Sequence, residues 1–272
     1  MNIKDKDRIY SFLKAVAGSD LELSCFRARI DNCKLPGEYV AELVSVSLGA
    51  GKLKSASIYL IEPSGLEQGA RTEQRNKVCA YYSNLLSSND RLECLFPNDT
   101  PMRIDPSFKS SDSAETERFE IIADYPEDGA VRNAMGVVNY LFPETSHKIV
   151  RSMLNWHTLG RIAIEADVQR KEGRKVRLYS YDGCGVTGLM CRGVSIRQNG
   201  ELSTDKKYYG VYGDVDAVRN DIEGMVSPSF LARVCSNDEL FRSHNMSFRY
   251  MASEVSDYGV DAKFYFRNEG GR

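Results

Sequence analysis

Gly173-Arg-Lys-Val-Arg-Leu-Tyr-Ser-Tyr-Asp182 decides the reading of this chain, because as a strand it divides into two chemically different faces. Lys175, Arg177, Tyr179 and Tyr181 point one way and Val176, Leu178 and Ser180 the other, since successive side chains alternate across a strand. The first face carries two cations and then two phenols. The order returns at Lys206-Lys207-Tyr208-Tyr209-Gly210-Val211-Tyr212, where Lys206, Tyr208 and Tyr212 share a face. It returns again at Lys263-Phe264-Tyr265-Phe266-Arg267, where Lys263, Tyr265 and Arg267 share one. A solvated sheet face accounts for any single ladder, because Tyr is a good strand former and Lys or Arg blunts aggregation. The opposite faces (Val176, Leu178; Ala262, Phe264, Phe266) are apolar enough to need a covering layer. If helices cover that side, the ladders face inward only when the sheet closes. A closed sheet with a basic, phenol-lined lumen is an anion site with π faces above it.

The chain as a whole is ordinary: 272 residues, net charge −2, 27% charged and 42% hydrophobic, which describes a soluble globular protein with no bulk charge pointing to nucleic acid. No apolar run is long enough to span a bilayer, and Met-Asn-Ile-Lys-Asp-Lys-Asp at the N-terminus has no secretory h-region. A cytoplasmic protein is expected. The seven cysteines form no CxxC pair, so free and mostly buried thiols are expected. His147, His157 and His244 lack metal-ligand spacing, which argues against a zinc site.

Taken in order, a helix is predicted over 4–17, with Ile9, Phe12, Leu13 and Val16 on one stripe and Gly18 as the stop. Strands follow at 20–30, 39–48 and 53–62, and a helix at 71–87. The Pro-, Ser- and Asp-rich 98–113 reads as a long loop. A strand at 117–123 runs into Asp124-Tyr125-Pro126-Glu127, where Asp caps and Pro opens a helix at 127–141, followed by another at 145–158. Hairpin strands 161–168 and 174–182 come next, then strands near 194–198 and 206–213. Helices at 214–226 and 229–242 precede a final hairpin of 246–254 and 260–267. Gly183-Cys184-Gly185-Val186-Thr187-Gly188 precedes no clear helix and reads as a turn.

Paired strands are unlike a parallel βαβ sheet, whose crossovers place one helix between single strands. Repeated hairpins joined by helices instead build an antiparallel sheet with the helices on one face. About ten such strands curl, and closing removes the edges. The expected fold is therefore α+β, a single domain over 1–272 forming a closed antiparallel ten-stranded barrel of αββα repeats with helices outside. An open α+β sheet with solvated ladders is the alternative.

In its repeat pattern the chain resembles the ABBA-barrel prenyltransferases, and particular stretches look like the cyanobactin peptide prenyltransferases. They are Leu21-Glu22-Leu23-Ser24-Cys25 on the first strand, Asp124-Tyr125-Pro126-Glu127, Thr187-Gly188-Leu189 with Tyr208-Tyr209, and the closing hairpin Met246 to Arg267. The resemblance implies transfer of an isoprenyl group, dimethylallyl or longer, from an allylic diphosphate to a side chain or terminus of a macrocyclic peptide. It implies magnesium with the diphosphate, and a monomer that needs neither nucleic acid nor membrane. Carried over through the match, Glu22 is the acid/base that orients or deprotonates the acceptor.

The chemistry of the residues agrees in kind. Breaking the allylic carbon–oxygen bond creates a pyrophosphate anion and a delocalised cation, and each needs an environment fixed in advance. Lys54, Lys175, Arg177, Lys206, Arg249 and Lys263 are the candidates for the anion. Tyr179, Tyr181, Tyr208, Tyr212 and Tyr265 are the candidate carbocation shield, each ring worth about 0.5–2 kcal/mol to a cation over its face. Mg²⁺ would be held mainly by phosphate oxygens and waters, so no DDxxD-like motif is required. In two places the chain departs from the family. The family's strand before Asp-Tyr-Pro-Glu is basic at alternating positions, where this chain has Glu117, Phe119, Ile121 and Ala123 with Arg118 the one cation nearby. The segment before Thr187 is too short for a helix. Two other readings compete: the same barrel acting on a small aromatic or indole acceptor, and a non-catalytic α+β binding module. Replacing Glu22→Gln is expected to abolish most turnover while retaining allylic diphosphate affinity; unchanged turnover in a steady-state assay removes Glu22 from the role.

Overall fold

A computed structural model describes residues 2–18, 23–49, 52–85, 102–111, 114–124, 128–148, 161–167, 175–180, 189–197, 202–210, 226, 228–235, 237–256 and 259–271. A short β1 (Asn2–Lys4) leads into α1 (Lys6–Ala17) and α2 (Ser24–Asn32). Hairpin β2 (Glu38–Gly49)–β3 (Lys52–Ile61), helix α3 (Gln68–Leu85), hairpin β4 (Met102–Ser111)–β5 (Ala114–Asp124) and helix α4 (Asp128–Leu141) follow. Strands β6 (Arg161–Asp167), β7 (Lys175–Ser180), β8 (Leu189–Arg197) and β9 (Leu202–Gly210) then lead to α5 (Pro228–Cys235) and α6 (Asp238–Ser243). The hairpin β10 (Met246–Ser256)–β11 (Gly259–Asn268) completes the α+β arrangement.

All eleven strands among the described residues belong to one sheet, in the order β1-β2-β11-β10-β9-β8-β7-β6-β5-β4-β3, and β2 also pairs with β3. Each strand from β2 to β11 thereby has an antiparallel neighbour on both sides. Only β1 joins in parallel, alongside β2.

Helix α1 buries Ile9, Phe12, Leu13, Val16 and Ala17, the predicted stripe, and ends at Gly18 with φ 63, a left-handed conformation that costs glycine nothing. Its Phe12 meets Phe266 of β11 edge-on with centroids 5.1 Å apart, while Phe241 of α6 lies 5.9 Å from the same ring. Phe230 of α5 packs 5.3 Å from Phe264. Tyr82 of α3 packs 4.4 Å from Phe119 of β5. These contacts put the apolar face of the sheet, with Val44, Val46, Ala262, Phe264, Phe266 and Val176 buried, under the helices. Arg8 fastens α1 to the far end of the chain. It donates to the His244 carbonyl and to Asn268 Oδ1, each at 2.7 Å, and Asn268 Nδ2 in turn donates to the Ala41 carbonyl at 3.0 Å.

Three sequence expectations are corrected. Residues 24–32 form helix α2 where a strand was expected, because Leu23, Phe26 and Ile30 are buried at helical spacing. The expected loop over 98–113 contains strand β4, whose Pro106 and Phe108 are buried with the helix-facing side. Pro106 lies just past the end of the pairing with β3, which stops at Ser107↔Tyr59. The expected helix 229–242 is two helices, α6 starting where Asn237 Oδ1 accepts from the Leu240 N–H at 3.0 Å. Residues 214–226 of the other expected helix lie outside the described residues apart from Val226, as does most of the expected helix at 145–158. No described helix is long and apolar enough to cross a membrane.

Tyr39 sits at the start of β2, almost wholly buried, with its hydroxyl donating to the Pro36 carbonyl at 3.0 Å. Burial foremost, then the Glu62 charge, pushes its phenol well above the ordinary tyrosine range. A folded pKa above the unfolded one gives stability that is complete below the unfolded value, about 10, and is lost as pH rises past it. Alkaline unfolding curves should therefore show Tyr39→Phe losing less stability than the parent above about pH 10, where the parent loses up to about 1.4 kcal/mol per pH unit.

Candidate functional site

The registers place the ladders on one face of the continuous sheet. Tyr179 of β7 stands opposite Gly193, Gly193 opposite Lys206, and Lys206 opposite Glu254. Two residues along, Tyr208 stands opposite Ala252, and Ala252 opposite Lys263. Lys175, Arg177 and Tyr179 on β7, Lys206 and Tyr208 on β9, and Lys263 and Tyr265 on β11 thus occupy positions on the face turned away from the helices. Gly193, between Tyr179 and Lys206 in the cross-strand row, leaves that row without a side chain at its centre.

The centre of that face is buried, while Ser47, Tyr59, Lys109, Tyr250 and Lys263 around it are half-buried. Ser45 is 0% exposed, Ser55 2%, Ser57 3%, Tyr265 4% and Arg177 9%. Small hydroxyls make the floor: Tyr250, Tyr265, Ser45, Ser57 and Lys109 follow one another straight across β10, β11, β2, β3 and β4. The buried hydroxyl of Ser45 has no hydrogen-bond partner. An unmet buried hydroxyl costs on the order of 1–3 kcal/mol.

Above the floor Lys263 reaches diagonally to donate to Tyr59 Oη at 2.5 Å. Its Nζ lies 5.1 Å from the Tyr59 ring centroid, beyond the hydroxyl and near the ring plane, and 5.0 Å from the centroid of Tyr265, within cation–π range of that ring. The two rings are 6.0 Å apart, and Tyr250 stacks on Tyr265 at 4.3 Å with planes 27° apart. Tyr59 and Tyr250 were missed in the sequence. The signal was present, since each is the aromatic of a strand whose neighbouring positions on that face are small: Ser55 and Ser57 beside Tyr59, Ala252 beside Tyr250.

Other expected residues are placed differently. Lys54, near the start of β3, is half exposed and ion-paired with Asp261 at 2.8 Å. The pair closes over Gly49, where a Cβ would stand 2.1 Å from Lys54 Nζ. Arg249 falls at a bulge in β10 between Phe248 and Tyr250, and is exposed. Glu22, Tyr181 and Tyr212 lie outside the described residues. The segment expected to carry Glu22 as a strand is helical from Ser24 onward. The face of β5 is also corrected: Phe119 is buried with the helix-facing side, against Tyr82, so Glu117, Phe119, Ile121 and Ala123 do not face the ladders. The ladder-side positions are Arg118, Glu120, Ile122 and Asp124, with Arg118 opposite Ser107.

A cleft of roughly 780 Å³ lies elsewhere, at the ends of β1 to β3, lined by Lys4, Arg8, Glu38, Tyr39 and Pro63 among others. It contains none of the expected site residues. Among the described residues no group of three His, Cys, Asp or Glu side chains is placed to hold a metal ion.

This fold is that of known prenyltransferases. The chain is similar to the solved apo form of the prenyltransferase PriB, with a TM-score of 0.57 at 12% identity, covering 98% of this chain and 91% of that one. It is similar also to the solved prenyltransferase NotF, with a TM-score of 0.53 at 10% identity, covering 84% of this chain and 80% of that one. In sequence, neither a family model nor a curated protein matches.

Tyr59→Phe keeps the ring and removes the hydroxyl that Lys263 meets. Urea unfolding should show a loss of about 0.5–1.5 kcal/mol, and no loss would mean the bond is not held in solution.

Proposed function

We propose that strands β2 to β11 close into a ten-stranded barrel with the helices outside, and that the chain is a peptide prenyltransferase working in its lumen. It moves an isoprenyl group, dimethylallyl or longer, from an allylic diphosphate to a side chain or terminus of a macrocyclic peptide. The single observation that carries this reading is the largely buried face away from the helices, where Lys263 donates to the Tyr59 hydroxyl beside Tyr265 and Arg177 is buried. A flat sheet would leave that face in water.

The roles follow from charge. Lys175, Arg177, Lys206 and Lys263 share the face that would receive the diphosphate, and Lys54 and Arg249 would act from the periphery. Donors fixed in a low-dielectric site stabilise the departing pyrophosphate without reorganising as charge develops. Tyr179, Tyr208 and Tyr265, with Tyr181 and Tyr212, shield the allylic cation and exclude the water that would capture it as an alcohol. Glu22 takes the acceptor's proton. Magnesium suits a site without a built carboxylate cage, since it keeps its waters and binds phosphate oxygens; bound so, it neutralises charge on the leaving group. The protein is read as a cytoplasmic monomer.

Mass spectrometry decides the reading: the chain is incubated with five-, ten- and fifteen-carbon allylic diphosphates and Mg²⁺ against cyclic peptides, small indoles and free amino acids. An isoprenyl mass on the cyclic peptides alone is the expected result. Transfer to indoles alone would move the acceptor class, and no transfer from any donor would overturn prenyl transfer. Calorimetry with the same diphosphates should show Lys175→Ala weakening donor binding at least tenfold.

A further inference from the structure

Lys54 and Asp261 meet where the seam between β2 and β11 ends. Lys54 is the unmatched residue of a bulge in β3, between the pairs Leu48↔Leu53 and Ser47↔Ser55, and its ammonium donates to Asp261 Oδ1 at 2.8 Å across the intervening β2. The bond lies directly on Gly49, the last residue of β2 and the cross-strand partner of Asp261. A Cβ at that position would stand 2.1 Å from Lys54 Nζ and 2.2 Å from Asp261 Oδ1, so a side chain there pushes the pair apart. By strand alternation Gly49 shares its face with Ser45 and Ser47, and Asp261 shares its face with Lys263 and Tyr265, so the bond crosses the face turned away from the helices. Cations at this end of the sheet are matched by acids: Lys54 is bonded to Asp261, and Lys206 stands opposite Glu254, which stands opposite Asp261. Lys263, two residues on from Asp261, meets a phenol instead.

We propose that Asp261 is an internal competitor for Lys54, holding the ammonium flat across the end of the sheet until a phosphate-type anion displaces the carboxylate. Asp261 is on this reading a positioning residue that weakens anion binding, and Gly49 is the gap that lets it do so. A multiply charged anion gains from the exchange, because it meets the ammonium with more charge than one carboxylate does. Both partners of the pair are partly exposed, so the bond is weak enough to be exchanged, and its loss is worth about two- to fivefold in anion affinity. That the anion is the diphosphate of an allylic donor rests on the function proposed above; the competition for Lys54 does not.

The probe is inorganic pyrophosphate, titrated into the chain by calorimetry at fixed ionic strength. Asp261→Asn should bind it about two- to fivefold tighter than the parent, and Lys54→Met added to Asp261→Asn should abolish that gain. Gly49→Ala separates the pair without changing any charge, and it should give the same gain, again lost with Lys54→Met. A pair that only held the strands together would lower stability in urea and bring no gain in affinity. Unchanged or weaker binding by either folded variant overturns the proposal. So does a gain that survives Lys54→Met, which would be the general effect of removing a negative charge, and so does an absence of pyrophosphate binding by parent and variants alike. If one of the two variants does not reproduce the parent's circular dichroism, the other decides alone. A chain that passes these tests but transfers no isoprenyl group would keep the competition and lose the prenyltransferase reading. One that transfers the group while parent and Gly49→Ala bind pyrophosphate equally would lose only the competition.

Discussion

A sheet covered by helices on one side has only its own side chains with which to bury the other. That constraint governs this molecule. Phe12, Phe230, Phe241 and Tyr82 take care of the helix-covered apolar face, each against a named aromatic of the sheet. The other face has no such cover among the described residues, yet Ser45, Ser55, Ser57 and Ala252 are all but inaccessible. Small residues at these positions are what let long side chains from non-adjacent rows meet above them. Larger groups there would force Lys263 and Tyr59 apart, because a close-packed interior yields little.

Charge on this face follows from the same constraint. A cation withdrawn from water loses hydration, and it persists only if something else solvates it. Phenols can do this in part, and the Tyr59 hydroxyl accepts from the Lys263 ammonium here. Lys54, half exposed at the end of the sheet, is instead ion-paired with Asp261.

Period two in the sequence was enough to assign Lys175, Arg177, Tyr179, Lys206, Tyr208, Lys263 and Tyr265 to a common face, because strand geometry fixes side-chain direction whatever the partner strand. Helix α1 was equally legible, its stripe and terminal Gly18 acting together. Two errors of strand assignment cancelled in number: 24–32 is helix and 102–111 is strand, leaving ten strands with two neighbours each. The first failed because Leu23-Ser-Cys-Phe admits both periods over so few residues, and the second because a proline and several serines masked the alternation of Ile104, Pro106 and Phe108. What no pattern along one strand reveals is a diagonal meeting. Tyr59 and Lys263 are 204 residues apart, and their contact depends on the small residues of a third strand between them. The bulge that exposes Arg249 is invisible for a like reason, since it is a property of a pair of strands and not of either alone.

The seam between β2 and β11 has a bearing on how the chain comes to be assembled. Asn268 is tied to Ala41 across 227 residues, and the pairing of Leu43 to Gly49 with Asp261 to Arg267 lies in the same zone. During synthesis, β2 must wait with one flank unsatisfied until almost everything downstream has emerged. Such non-local closure is slow, and an uncovered flank in the interval invites pairing with another nascent copy. The interval before β11 emerges is therefore when this architecture is exposed to pairing with the wrong chain.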